Sequence, residues 1–204
     1  MPLIGLTGGI ATGKSLVTDY LRDKGILVVD ADQLARKMVE PGRPAWEKIR
    51  REFGREYLRK DQTLDRRKLG DLVFATPEKR RALERIIHPE VLNAARKIIH
   101  PLLDADPDRW IIFSVPLLFE SGFDKITDRV AVVYVDEATQ LQRLIMRDGL
   151  TKADALKRIR AQMPIEEKKN LADDLIDNSG APDETRRQVD GWLLRVRLSD
   201  KTSG

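Results

Sequence analysis

Eight consecutive residues near the start limit what this chain can fold into. Gly8-Gly9-Ile10-Ala11-Thr12-Gly13-Lys14-Ser15 fills every fixed position of the pattern G-x-x-x-x-G-K-[ST]. Leu3, Ile4 and Leu6 precede it as a short apolar run, which suits a strand buried on both faces. After it, Leu16, Val17, Tyr20 and Leu21 recur at helical spacing, and Gly25 stands where a helix should stop. A loop that wraps a phosphate must turn several backbone N–H groups inward, so it needs residues without side chains in the way. The helix that begins at its end adds unpaired N–H groups and a dipole that favours an anion. Lys14 can reach β- and γ-phosphates, and the Ser15 hydroxyl can ligate Mg²⁺. The sequence therefore predicts a nucleotide-binding loop between a strand and a helix.

The rest of the chain extends this start into an α/β fold. A helix is expected over residues 13–24, then a buried strand at residues 26–29 that ends at Asp30-Ala31-Asp32. Residues 33–40 read as a helix that stops before Pro41-Gly42. Strand, helix, strand and helix in short order predict a parallel sheet with right-handed crossovers. Residues 42–105 hold no convincing strand. Trp46, Ile49 and Phe53 share a helical face, and Leu64, Leu69, Leu72 and Val73 mark another helix that ends near Thr76-Pro77. Leu83, Ile86, Ile87, Val91, Leu92, Ala95 and Ile98 form a long amphipathic stripe, which His88-Pro89 should break or kink. Strands return at residues 110–115 and 130–135, with the apolar loop Pro116-Leu117-Leu118-Phe119-Glu120 at the carboxyl end of the first, the edge where open α/β sheets bind ligands. A helix from Asp136 carries Gln140, Arg143 and Arg147, the two arginines on one face. Residues 151–163 form a second helix beyond Asp148-Gly149, with Thr151 as its N-cap, giving a helical hairpin able to open and close. A short strand at Leu175-Ile176, a turn at Asn178-Ser179-Gly180 and an amphipathic helix over residues 183–198 complete the chain, with residues 201–204 expected to be loose.

Composition narrows the chemistry. The chain has 204 residues, no cysteine and two histidines, so neither a thiol nucleophile nor a thiolate or all-histidine metal site is available. The formal charge of +4 suits an anionic ligand but is too diffuse to imply nucleic acid, and Lys79-Arg80-Arg81 stands among acids and aliphatics. The longest apolar run, residues 110–119, is too short to span a membrane, and residues 1–10 lead into the loop rather than forming a targeting segment. A cytoplasmic enzyme acting on small molecules is expected, with no nucleic-acid or membrane partner.

One family gathers these residues in order. The chain resembles the dephospho-coenzyme A kinases, P-loop kinases related in fold to the nucleoside monophosphate kinases. The resemblance runs from Leu6 to Gly180: the loop and Ser15, Asp30-Ala31-Asp32, Glu40-Pro41-Gly42, Leu64-Asp65-Arg66, His88-Pro89, Pro116 to Glu120, Gln140 with Arg143 and Arg147, Arg158-Ile159 with Gln162, and Ala172-Asp173 with Asn178 and Gly180. It implies a P-loop kinase fold: a five-stranded parallel sheet flanked by helices, with a helical substrate-binding insertion and a helical lid. Residues 1–40 and 106–200 would form the nucleotide-binding core, 41–105 the coenzyme A-binding insertion and 140–163 the lid. It also implies transfer of the ATP γ-phosphoryl group to the ribose 3′-hydroxyl of dephospho-coenzyme A, with Mg²⁺ as cofactor.

Roles for particular residues follow from that resemblance. Lys14, Asp32 and Arg147 would be catalytic, with Asp32 as the base. Residues Gly8 to Leu16, Arg143, Arg147, Asn178 and Gly180 would bind the nucleotide, the turn at 178–180 at the adenine edge. Asp32, Asp65, Arg66, His88, Leu117 and Glu120 would meet the acceptor, and Ser15 with Asp32 the metal. Bland alternatives stand beside these: Asp30 as a helix cap, Asp65 with Arg66 as a structural ion pair, His88-Pro89 as a helix breaker, the two arginines as a solvated helix face. Other kinases of this topology, a slow ATP-hydrolysing switch and a nucleic-acid-binding ATPase are the competing functions. The chain departs from the family at Ala11, where glycine is usual, at Leu16, where threonine is usual, and at Ser114, where many relatives carry aspartate. The last departure leaves the acidic partner of the metal open.

Overall fold

A computed structural model describes residues 3–106 and 109–202, with side chains through Val196. The chain divides into two compact units, Met1–Val29 with Asp106–Gly204, and Asp30–Ala105.

The first unit is built on β1, Leu3–Gly8, which is buried along its whole length. It pairs in parallel with β3 (Ile111–Ser114), Leu3 opposite Ile111 and Leu6 opposite Ser114. On its other side lies β4 (Arg129–Tyr134), which in turn pairs with β5 (Asp174–Asp177). With β2 (Leu27–Asp30), the five strands run in the order β2-β3-β1-β4-β5. A strand covered on both faces has no polar side to alternate with, hence the uninterrupted apolar runs. Helix α1 (Lys14–Asp23) and the last helix, Pro182–Thr202, bury Val17, Leu21, Val189 and Trp192 with Ile4, Leu6, Ile112 and Ile176 of the sheet. At their rim, Asp190 accepts a hydrogen bond from the Tyr20 hydroxyl (2.8 Å) and pairs with Lys24 (2.9 Å).

The second unit is helical, as its sequence predicts. It holds α2 (Ala31–Met38), α3 (Pro44–Phe53), α4 (Arg66–Ala75) and the long α5 (Pro77–Ala105). Val39, Trp46, Ile49, Phe53, Leu64, Leu69 and Ala82 form its core. Helix α2 packs against α5 and so groups with this unit.

Several expectations need correction. Helix α2 begins at Ala31 rather than residue 33, because the Asp30 carboxylate accepts from the Gln33 backbone N–H (3.0 Å) and caps it. Leu64 precedes α4 and sits in an isolated antiparallel bridge with Leu58. Helix α5 is not broken at His88-Pro89: it runs on past Pro89 and Pro101. Proline forfeits one backbone hydrogen bond, but buried Ala82 on one side and Val91, Ala95 and Ile99 on the other hold the helix through the gap. The hairpin helices, α6 (Glu137–Asp148) and α7 (Lys152–Arg160), appear where expected, capped by Asp136 and Thr151. Helix α8 (Ile165–Asn170) was not expected, because its polar run Glu-Glu-Lys-Lys-Asn shows no apolar period. The closing helix, α9, is the Pro182–Thr202 helix, so residues 201 and 202 are helical rather than loose; 203 and 204 lie outside the described residues.

Candidate active site

The phosphate loop leaves β1 at Gly8 and enters α1 at Lys14. Helix α1 starts from Gly13 in the left-handed region (φ 85°), with no side-chain cap and no acidic residue in its first turn. By contrast, α2, α4, α6 and α7 are capped by Asp30, Asp65, Asp136 and Thr151. A helix start without a side-chain cap, beside a lysine and a hydroxyl, suits an oligophosphate. Lys14 Nζ donates to Ser114 Oγ at the end of β3 (2.6 Å). The serine that stands where aspartate is expected thus meets the lysine through its hydroxyl. Ser15 is exposed on the first turn of α1.

The loop itself is fixed by side chains. The Thr12 hydroxyl and backbone N–H both donate to the Gly9 carbonyl (2.9 and 3.2 Å). Asn178, buried after β5, donates from Nδ2 to the Thr12 carbonyl (2.7 Å) and accepts at Oδ1 from the Thr185 hydroxyl (2.6 Å). A Cβ on Gly13 would stand 2.0 Å from that Asn178 amide nitrogen, so only glycine admits the contact. Arg143 donates to the Asn178 carbonyl (2.9 Å). Gln140 Nε2 donates to the Ile10 carbonyl (2.8 Å), and the Ile10 N–H donates to Gln162 Oε1 (2.9 Å).

These contacts revise what the sequence suggested for two residues. The Asn178 side chain braces the loop from a buried position, its Nδ2 donating to Thr12 and its Oδ1 accepting from Thr185, a task the sequence does not announce. Glu120 receives the Met163 N–H (3.0 Å) and pairs with Lys168, whose side chain is fully buried and also donates to the Pro116 carbonyl (3.0 Å). Its carboxylate therefore ties the hairpin's end to the turn after β3. Ile165, three residues before Lys168 and also buried, was the available signal that this lysine faces inward. Gly180 lies in the turn before α9, where Glu184 accepts from the Ala181 N–H (3.1 Å). Leu117 lies half-buried in the turn after β3, its carbonyl accepting from the Ser121 N–H (2.9 Å).

The two arginines of α6 part company. Arg143 is half-buried against the loop's brace, whereas Arg147 is 58% exposed and pairs with its neighbour Asp148 (2.8 Å), which also receives Arg158 (3.3 Å). That pairing holds the Asp148 carboxyl below its ordinary range, chiefly through the Arg147 hydrogen bond.

The remaining candidates lie in the helical unit. Asp32 is exposed in the first turn of α2. Asp65 caps α4, accepting from the Lys68 N–H (3.0 Å). Arg66 lines a surface groove of about 320 Å³ with Arg36 and Arg59. His88 is half-buried on α5, and burial lowers its pKa more than Glu84 raises it. Among the described residues, no three histidine or carboxylate side chains cluster as a metal cage. The donor present at the loop, one hydroxyl, fits Mg²⁺ that arrives on nucleotide phosphates and keeps most of its waters.

Comparison with known proteins decides among the kinases of this topology. The family model described as dephospho-CoA kinase matches residues 2–184. The chain belongs to the dephospho-CoA kinase family. A dephospho-CoA kinase of Carboxydothermus hydrogenoformans is 49% identical over 200 residues, covering 98% of this chain and 97% of its own. A dephospho-CoA kinase domain-containing protein of Danio rerio is 48% identical and covers 98% of this chain and 86% of its own. Among solved structures, a dephospho-CoA kinase from Campylobacter jejuni superposes with a TM-score of 0.71 at 28% identity, covering 97% of this chain and 98% of its own. A shikimate kinase from Acinetobacter baumannii, with a TM-score of 0.54 at 19% identity, shares the fold alone. As a dephospho-CoA kinase, the chain is an ATP-dependent phosphotransferase. No described helix is long and apolar enough to cross a membrane.

Proposed function

We propose that the two units divide the dephospho-CoA kinase reaction, the sheet unit holding ATP and the helical unit the acceptor. The observation that carries the nucleotide half is the uncapped start of α1 beside Lys14, inside a loop whose backbone is already fixed by Gln140, Gln162 and Asn178. Lys14 then neutralises the moving phosphoryl group, and Ser15 is the residue that would hold Mg²⁺. Bound with ATP, such an ion would supply positive charge against the charge that develops on the phosphate oxygens. Arg147, exposed and paired with Asp148, turns onto the phosphates when the hairpin closes, and Gly149 (φ 65°) at the end of α6 is the hinge about which α7 moves. Arg143 meets the nucleotide from its place beside the loop.

For the acceptor half, Asp32 orients the ribose 3′-hydroxyl and takes its proton. Its support is local: Asp32 is exposed in the first turn of α2, directly after the cap residue. Asp30 itself is occupied as a cap. Arg66, with Arg36 and Arg59, gives the helical unit three guanidinium groups in one groove, with Glu40 and Asp61 beside them, and these would meet the acceptor's diphosphate. His88 and Leu117 contact the acceptor's organic portion. A coupled assay of ADP release tests the assignment, comparing dephospho-coenzyme A with AMP, simple alcohols and no acceptor. Turnover should depend on dephospho-coenzyme A and yield coenzyme A. Equal ADP release without acceptor, or preference for another alcohol, would overturn it.

A further inference from the structure

Both backbone polar groups of one loop residue are held by the hairpin. Ile10 gives its carbonyl to Gln140 on α6 and its N–H to Gln162 just beyond α7. The next residue, Ala11, stands in the left-handed region with φ 61°, a conformation that a residue with a Cβ adopts at a disadvantage of roughly five- to thirtyfold. The two features are adjacent in sequence, and Ile10 and Ala11 also pack against Leu144, Ala155 and Ile159 of the two hairpin helices. Gln140 is 2% exposed and approaches so closely that a Cβ on Gly9 would fall 2.2 Å from its Nε2. Its Oε1 is buried without a hydrogen-bond partner among the described residues. Such an acceptor is costly to keep, so the side chain is retained for what its other atom does.

We infer that Gln140 and Gln162 are positioning residues that clamp Ile10 and thereby hold Ala11 in its left-handed conformation, so that the hairpin sets the shape of the phosphate loop. The clamp does locally what a glycine at position 11 would do by conformational freedom alone. Hairpin movement and phosphate affinity are then coupled through one residue, since any shift of α6 or α7 that loosens either glutamine releases Ala11. The inference concerns nucleotide affinity and holds whichever alcohol accepts the phosphoryl group.

The test is a double-mutant cycle on ATP binding, measured directly with a fluorescent ATP analogue and without acceptor. Gln162→Met keeps length and volume but removes the acceptor for the Ile10 N–H, and its half-exposed position spares the core. It should raise the Kd for nucleotide about five- to thirtyfold, while the KM for dephospho-coenzyme A stays within about twofold. Ala11→Gly serves as the second background of the cycle. Within it, Gln162→Met should change Kd less than about threefold, because glycine needs no clamp. Gln140→Met, with and without Ala11→Gly, should repeat the pattern. A Gln162→Met protein with unchanged affinity, or a loss as large in the Ala11→Gly background, would overturn the inference. Failure of dephospho-coenzyme A to accept phosphate would leave the cycle untouched and would count only against the acceptor assignment.

Discussion

The two units treat polar side chains in opposite ways. Every buried polar side chain among the described residues belongs to the sheet unit: Thr7, Thr12, Thr18, Ser114, Gln140, Lys168, Asn178 and Thr185. Several of them touch the phosphate loop or the residues that brace it. The helical unit keeps an apolar core and places its charges outside, as in the exposed pairs Lys79–Glu52 and Arg81–Glu78. Exposed pairs of this kind contribute little to stability, whereas a buried polar group is costly wherever it lacks its partner, as at Gln140 Oε1. Buried polar contacts hold one geometry, whereas exposed ion pairs exchange readily with water. The comparison implies a nucleotide site set before ATP arrives and an acceptor unit free to adjust.

Breaking the rigid side at its centre should have the largest effect. Lys14→Ala is expected to lower kcat by at least about a thousandfold, since it removes a cation from the transferring group, with little change in thermal stability. Near-normal turnover in the folded variant would remove the loop from the account. Asp32→Asn should reduce kcat by about a hundred- to ten-thousandfold, the range of a lost general base. Asp30→Asn should leave turnover within a few-fold and act on the cap, where asparagine also serves and Asp30→Ala would cost about 1 kcal/mol. An inactive Asp30→Asn beside a normal Asp32→Asn would reverse the two assignments.

These predictions rest unequally on what could be read from the chain. The loop, its flanking strand and helix, and the hairpin were legible because their signals are local: a fixed motif, a buried apolar run, capping residues such as Asp136 and Thr151. The braces were not. Asn178 reaches Thr12 across 166 positions and Gln162 reaches Ile10 across 152, and nothing in either neighbourhood announces the partner. Asn178 was legible as a residue of the site but not as a side chain already spent on the loop. Of the break or kink expected at His88-Pro89, the break does not occur, for a related reason: local propensity yields to burial on both sides.

The smallest effect concerns the adaptable side. Burial lowers the His88 pKa, with Glu84 opposing. The unfolded chain, where histidine titrates near 6.5, therefore takes up more protons than the folded one as pH falls through that value. Stability should decline from pH 7.5 towards pH 5.5, and His88→Gln should flatten that part of the curve. Carboxylates such as Asp61 and Asp136, whose pKa values are lowered by Thr63 and Thr139, act only at more acid pH. An identical slope in the variant would show that His88 is not buried in its neutral form.

The claim that the nucleotide site is set before ATP arrives is tested most directly by amide hydrogen exchange at Ile10. Its N–H is held by Gln162 rather than by any ligand. In the nucleotide-free protein this amide should exchange at least about a hundredfold more slowly than in an unstructured chain, with little further change when an ATP analogue is added. Free exchange without nucleotide, followed by strong protection on binding, would mean that ATP itself builds the loop and would contradict the account.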